Sequence, residues 1–201
     1  KESAAELGLE EGLPVVASGI DCGAANIGLG VFEPGTYAAA IGTSMCAALI
    51  SDRPVKGSGL IAWRYLYRPK DLTYYFAGAA TAGAIVKWFR DTLCRQELEA
   101  ERKGGPGAYR VLDDQAERIP PGSEGLVVLP YFMGERSPVW DPDAKGTIVG
   151  LSLAHTKAHL YRAFLEAVAY SLRDAMEATG EKFTKPILLA GGVARSKVWR
   201  Q

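Results

Sequence analysis

Cysteine is scarce in this sequence. Cys22, Cys46 and Cys94 are odd in number, far apart and without a C-x-x-C pair, which argues against a disulfide framework and a structural zinc site and fits a reducing, cytoplasmic setting. Neither sign of charge is in excess: 23 basic residues balance 23 acidic ones, with no block of like charge. The electrostatic footprint of a nucleic-acid or acidic-membrane partner is therefore missing. No apolar run approaches the roughly 18 residues of a membrane span, and the opening KESAAELGLEEG lacks the charged-then-apolar order of a signal peptide. There are only two histidines. His155 and His159 straddle a helix start without an H-E-x-x-H motif, so capping and surface roles are expected and no metal site. Also absent are G-x-x-x-x-G-K-[ST] and a G-x-G-x-x-G after a strand, which leaves the P-loop and dinucleotide folds without support. A small-molecule partner is expected.

What is present is an ordinary globular composition, 48% apolar and 23% charged over 201 residues. This is enough for one domain or a little more, burying roughly 70% of its unfolded surface. The chain starts at Lys1 inside a helical pattern over 2–9 and stops at Gln201 soon after a new helix begins at Ser196, so it reads as part of a longer polypeptide. Between these ends the periodicity predicts strands over 15–20 and 37–50, the second broken by Gly42-Thr43-Ser44. A hairpin follows, with strands over 62–67 and 73–77. From Thr81 the period changes to 3.6, predicting a helix to about Arg102 with Ile85, Trp88, Phe89 and Leu93 on its apolar stripe. A short helix over 112–118, strands over 126–129 and 146–151, and a proline-rich loop over 130–145 come next. The clearest helix has Thr156 as N-cap and Gly180 as its stop; a last strand over 186–190 ends at Gly191-Gly192. An early antiparallel group followed by alternating helices and strands predicts an α/β fold, one mixed sheet covered by helices on both faces.

The candidate chemistry lies where strands end. Asp21 directly follows an apolar run and is placed either to take a proton from a substrate hydroxyl or to cap the helix after it. Gly42 and Thr43 offer backbone N–H groups and a hydroxyl, the donors a terminal phosphate accepts. Gly83 closes a small-residue stretch before a long helix, and Gly191 and Gly192 lie between a strand and the helix opened by Ser196. Glycine there permits close approach of backbone to a nucleotide, and helix starts favour anions. Three such turns and one carboxylate, expected to face one shared hollow, suggest nucleotide-dependent phosphoryl transfer.

The runs GIDCGAANIGLGV, IGTS, FAGAATAGAIVKWFRD, LPYFMGERSPVWDPDAKGTIVGL, HTKAHLYRAFLEAVAYSLRD and LAGGVARSKVWRQ resemble, in order, the C-terminal domain of the FGGY carbohydrate kinases. Phe164 is bulkier than the family pattern has at that point. The resemblance implies the actin-like, ribonuclease-H-like fold and the ATP-binding lobe of a two-lobe sugar kinase using ATP and Mg²⁺. It implies Asp21 as catalytic base, Thr43 at the terminal phosphates, Gly83 and Gly192 lining the nucleotide, and Ser196 where glycerol kinases carry an adenine-side Asn. Cys22 replaces the usual Gln or Asn after the base. The D-x-G-A-A run looks closest to the xylulose branch; glycerol, other polyol and hexulose kinases, or a non-catalytic actin-like nucleotide-binding protein, are the alternatives. The absent N-terminal lobe would supply most sugar contacts and the Mg²⁺-orienting carboxylates, so the chain alone is expected to be inactive. A homodimer is compatible with this reading.

Overall fold

A computed structural model describes residues 2–15, 19–56 and 59–201. Its centre is a five-stranded sheet whose strands lie in the order 61–64, 73–77, 45–51, 36–41, 188–191. The 37–50 run folds back on itself: β1 (Thr36–Ile41) and β2 (Met45–Ser51) pair antiparallel, from Thr36 opposite Ile50 to Ile41 opposite Met45. The break lies at residues 42–44, where expected. The hairpin of β3 (Ile61–Arg64) and β4 (Thr73–Ala77) adds on beyond β2. Chain-distant β7 (Leu188–Gly191) lies parallel to β1, Ile41 opposite Gly191. Because that pairing is parallel, the ends of β1 and β7 and the turn after β1 share one edge of the sheet, where ligands of open α/β sheets collect.

Strand alternation divides the side chains between two cores. Tyr37, Ala39, Ile41, Met45, Ala47 and Leu49 face helices α3 (Gly83–Leu93) and α6 (Lys157–Glu177), in a core centred on Phe89 and Phe164, whose rings lie 5.4 Å apart. The bulky Phe164 is fully buried there and also touches Trp88 and Phe132. Ala38, Ala48, Ile50, Tyr74 and Phe76 face the other way, with Cys22, Ile27, Leu29 and Cys46 packed against them. The cover on that side is α2 (Asp21–Gly28). Helices on both faces of a mixed sheet are as expected.

Several boundaries differ. Of the expected strand over 15–20, residues 16–18 lie outside the described residues; Val15, Gly19 and Ile20 are in no strand, and Val15 is exposed. Asp21 therefore opens a helix and does not end a sheet strand. The helix expected over 81–102 is two, α3 and α4 (Arg95–Arg102), broken at Cys94 (φ −117°, ψ 47°). The bend buries Cys94 and brings half-polar α4 round so that Glu97 meets Lys157 of α6. Trp88 and Leu93, expected on the apolar stripe, are about half exposed. α5 (Ala108–Ala116) starts earlier than its pattern suggested. The strands over 126–129 and 146–151 form a separate antiparallel pair, β5 (Val127–Leu129) with β6 (Thr147–Val149), so there are two sheets and not one. Short helices α1 (Glu2–Leu7) and α7 (Lys197–Arg200) stand near the ends.

Thr156 caps α6, and His159 completes the cap: its Nδ1 accepts from the Thr156 N–H at 3.1 Å and lies 2.8 Å from the Thr156 hydroxyl. The histidine thus plays the part glutamate has in a capping box. Thr156→Ala should cost about 1 kcal/mol, read as a lower denaturant midpoint with unchanged slope.

Candidate functional site

A cleft of about 990 Å³ opens at the edge of the sheet where β1 and β7 end, on the α3 side. Its near wall is the turn at 42–44. Gly42 and Thr43 are exposed and line it. The turn's carbonyls are taken up by the start of α3: Gly83 N–H donates to Gly42 O (2.8 Å), and Ala82 and Ala84 N–H to Thr43 O (2.9 and 3.1 Å). The Gly42 N–H closes the turn on Ser44 O at 2.9 Å. Among the described residues the amides of Thr43 and Ser44 have no acceptor, so these donors and the Thr43 hydroxyl are available to an anion, beside the N-terminus of an eleven-residue helix.

The three glycines differ in what demands them. At Gly83 an added Cβ would lie 2.4 Å from the Gly42 carbonyl oxygen, so helix and turn touch only because no side chain intervenes. At Gly191, where φ is +91°, it would lie 2.1 Å from the carbonyl oxygen of its ladder partner Ile41. Gly191 shapes the strand end and does not itself line the cleft. Gly192 does line it, and a Cβ there meets nothing within 4 Å: it is open to a ligand.

Ser196 also lines the cleft. Its Oγ accepts from the Trp199 N–H at 3.2 Å as the N-cap of α7. Its hydroxyl bonds toward Asp113, whose carboxyl burial pushes above the ordinary range against hydrogen bonds from Ser196 and from Tyr161 (3.0 Å). Asp113 belongs to a far wall that no motif marked: Tyr109, Arg110, Asp113 and Glu117 at and just beyond α5, with Lys87 and Trp88 from α3 and Trp199 from α7. The cleft thus has an anion-ready end at the turn and an aromatic end of mixed charge opposite. Its volume is at the upper end of ligand pockets in general.

Asp21 is not in this cleft. It is the exposed first residue of α2, its Oδ1 accepting from the Cys22 N–H at 2.7 Å, and no ion pair reaches it among the described residues. It lies on the other face of the sheet but at the same edge: it bears electrostatically on the thiol of Cys46, two residues past the turn. The expected single hollow is therefore not formed: the cleft lies on one side of residues 42–44 and does not include Asp21. Thr43, Gly42, Gly83, Gly192 and Ser196 gather on one side, and Asp21 stands on the other. The divide arises because α2 and α3 cover opposite faces.

The mixed sheet with helices on both faces has the actin-like ATPase fold, shared with solved sugar kinases. Residues 37–201 match the FGGY family of carbohydrate kinases, C-terminal domain, and the chain belongs to that family. It is 37% identical to a gluconokinase of Bacillus subtilis over its whole length, covering 39% of that protein, and 30% identical to a xylulose kinase of the same organism, with 98% of the chain covering 38% of it. The crystal structure of xylulose kinase from Rhodospirillum rubrum superposes with a TM-score of 0.81 at 33% identity, over 99% of this chain and 38% of that one. The chain thus spans about two fifths of the length of these relatives. No helix among the described residues is long and apolar enough to cross a membrane.

Proposed function

We propose that the protein of which this chain forms the nucleotide-binding lobe is an ATP-dependent carbohydrate kinase. The observation that carries the reading is the turn at 42–44: the Gly42 and Thr43 carbonyls are tied to the head of α3, while the Thr43 and Ser44 amides and the Thr43 hydroxyl are free for phosphate. The nucleotide lies along the cleft, phosphates toward Gly42, Thr43 and Gly83, base toward Gly192, Ser196 and the aromatic end. The donors, the helix N-terminus and the volume fit ATP. Mg²⁺ neutralises charge on the phosphates when bound. No group of three or more His, Cys, Asp or Glu side chains among the described residues could hold a metal by itself, which suits a Mg²⁺ carried in on the nucleotide's phosphates.

With ATP's terminal phosphoryl at the turn, the acceptor approaches from the side of Asp21. Its hydroxyl oxygen forms a bond to the γ-phosphorus in line as the bond to the β,γ-bridging oxygen breaks. The electron pair leaves with ADP, and the hydroxyl proton passes to the Asp21 carboxylate. The acceptor is an open-chain polyhydroxy compound. Gluconate is favoured by the 37% identity to a gluconokinase, with D-xylulose, the choice suggested by the D-x-G-A-A run, second.

The test is ADP release by the full-length protein with Mg·ATP and gluconate, D-xylulose, L-ribulose or glycerol. One acceptor should raise turnover to the range of about 1–100 s⁻¹. Release no faster with any acceptor than without would identify a nucleotide-binding protein that phosphorylates none of them. The 201-residue chain alone should show no acceptor-dependent release, because it holds one wall of the reaction space.

A further inference from the structure

Asp21 has no cation at ion-pair distance among the described residues, and one guanidinium on its face of the sheet has no carboxylate. Arg136 lies in the loop over 130–145 with its side chain exposed. Two anchors hold it. Its backbone N–H donates to Glu135 Oε1 at 2.6 Å, and the same oxygen takes the Ala80 N–H at 2.8 Å, so buried Glu135 fastens the loop to the segment leaving β4. One Nη donates to Ala79 O at 3.2 Å, and that carbonyl also accepts the N–H of Met45, the first residue after the 42–44 turn.

Gly78 completes the seat. A Cβ there would lie 2.5 Å from the Phe76 ring and 3.1 Å from the Arg136 guanidinium. Phe76 belongs to the core that α2 covers, so the guanidinium sits at the turn's edge of the sheet on the face where α2 begins with Asp21. In keeping with this, Arg136 and Asp21 act with opposite sign on the one thiol of Cys46. An arginine carries five N–H donors, and the Ala79 carbonyl takes one. A merely structural link would need no charge.

We propose that Arg136 is a catalytic cation of the phosphoryl transfer, meeting the moving phosphoryl group on the acceptor side of the turn. This rests on the kinase reading above. The guanidinium forms no covalent bond and gives up no proton. It balances negative charge on the phosphoryl oxygens while Asp21 takes the hydroxyl proton, and its fork geometry suits those oxygens.

The experiment uses the full-length protein and the acceptor that supports turnover. Arg136→Ala should lower kcat about 100-fold, the scale for a lost transition-state donor, with the KM for ATP little changed. Added guanidine hydrochloride, at concentrations that leave the wild type folded and equally active, should restore part of the lost rate in Arg136→Ala and none in Asp21→Ala. Arg136→Gln keeps a donor for Ala79 without the charge and should be about as slow as the alanine variant. It also serves if Arg136→Ala fails to fold. Turnover of Arg136→Gln within about threefold of wild type, or an Arg136→Ala loss that guanidinium leaves untouched, overturns the proposal. A wild-type protein without acceptor-dependent turnover would sink the kinase reading instead, a result separate from an active wild type with an active Arg136→Gln.

Discussion

Replacing Asp21 by alanine in the full-length protein is expected to lower acceptor-dependent turnover about 10²–10⁴-fold, the contribution of a well-placed base, while ADP still binds with unchanged affinity. The two readouts separate because of where the residue stands. Asp21 lies on the α2 face and is absent from the lining of the cleft, so losing it removes nothing from the nucleotide's surroundings. Its side chain's one hydrogen bond among the described residues is from the neighbouring Cys22 N–H at an exposed helix start, so the fold should hardly register the change. Calorimetric titration with ADP and a coupled assay on one preparation decide the matter. Turnover near wild type would remove Asp21 from the chemistry and leave it the helix-start residue that its position also allows.

The second large effect concerns Gly191. Gly191→Ala should destabilise the chain by about 4 kcal/mol, in the exceptional tail of point substitutions, and Gly192→Ala should leave stability within about 0.5 kcal/mol of wild type. Gly191 has φ +91° and ψ −167°, a conformation essentially confined to glycine. The methyl carbon would also sit 2.1 Å from the oxygen and 2.7 Å from the carbonyl carbon of Ile41. Neither can retreat without opening the β1·β7 ladder. At Gly192 there is open space, so a side chain there should weaken nucleotide binding and not folding. Denaturant midpoints and ADP titrations of the two variants should therefore move in opposite ways; equal midpoints would show that the strand end relaxes at little cost.

Most of this arrangement could be read from the residues where local chemistry and tertiary packing agree. The break at 42–44, the hairpin of β3 and β4, the long helix opened by Thr156 and the role of His159 as a cap all follow from turn residues, alternation and spacing, and the structure has each. What was hidden came from packing between distant segments. Nothing in the run over 81–102 announces the break at Cys94, since it is Lys157, sixty residues on, that makes burial of Glu97 tolerable. The far wall of the cleft comes from α5, an ordinary amphipathic helix with no motif, which is why Asp113 and Tyr109 escaped notice. Gly83 and Gly191 were read as making room for a nucleotide. Their nearest constraint is the chain's own backbone, a demand that sequence cannot distinguish from the first.

The stitching of residues 42–44 to the head of α3 has a mechanical consequence. These bonds join main-chain atoms, so as long as residue 83 carries no side chain to force the two apart, the turn and the helix behind it travel as a single stiff part. The turn, proposed above to hold phosphate, then cannot lag behind or rotate apart from α3. On that proposal, alignment of donor and acceptor is set by how the sheet edge as a whole is placed and not by the turn adapting to its cargo.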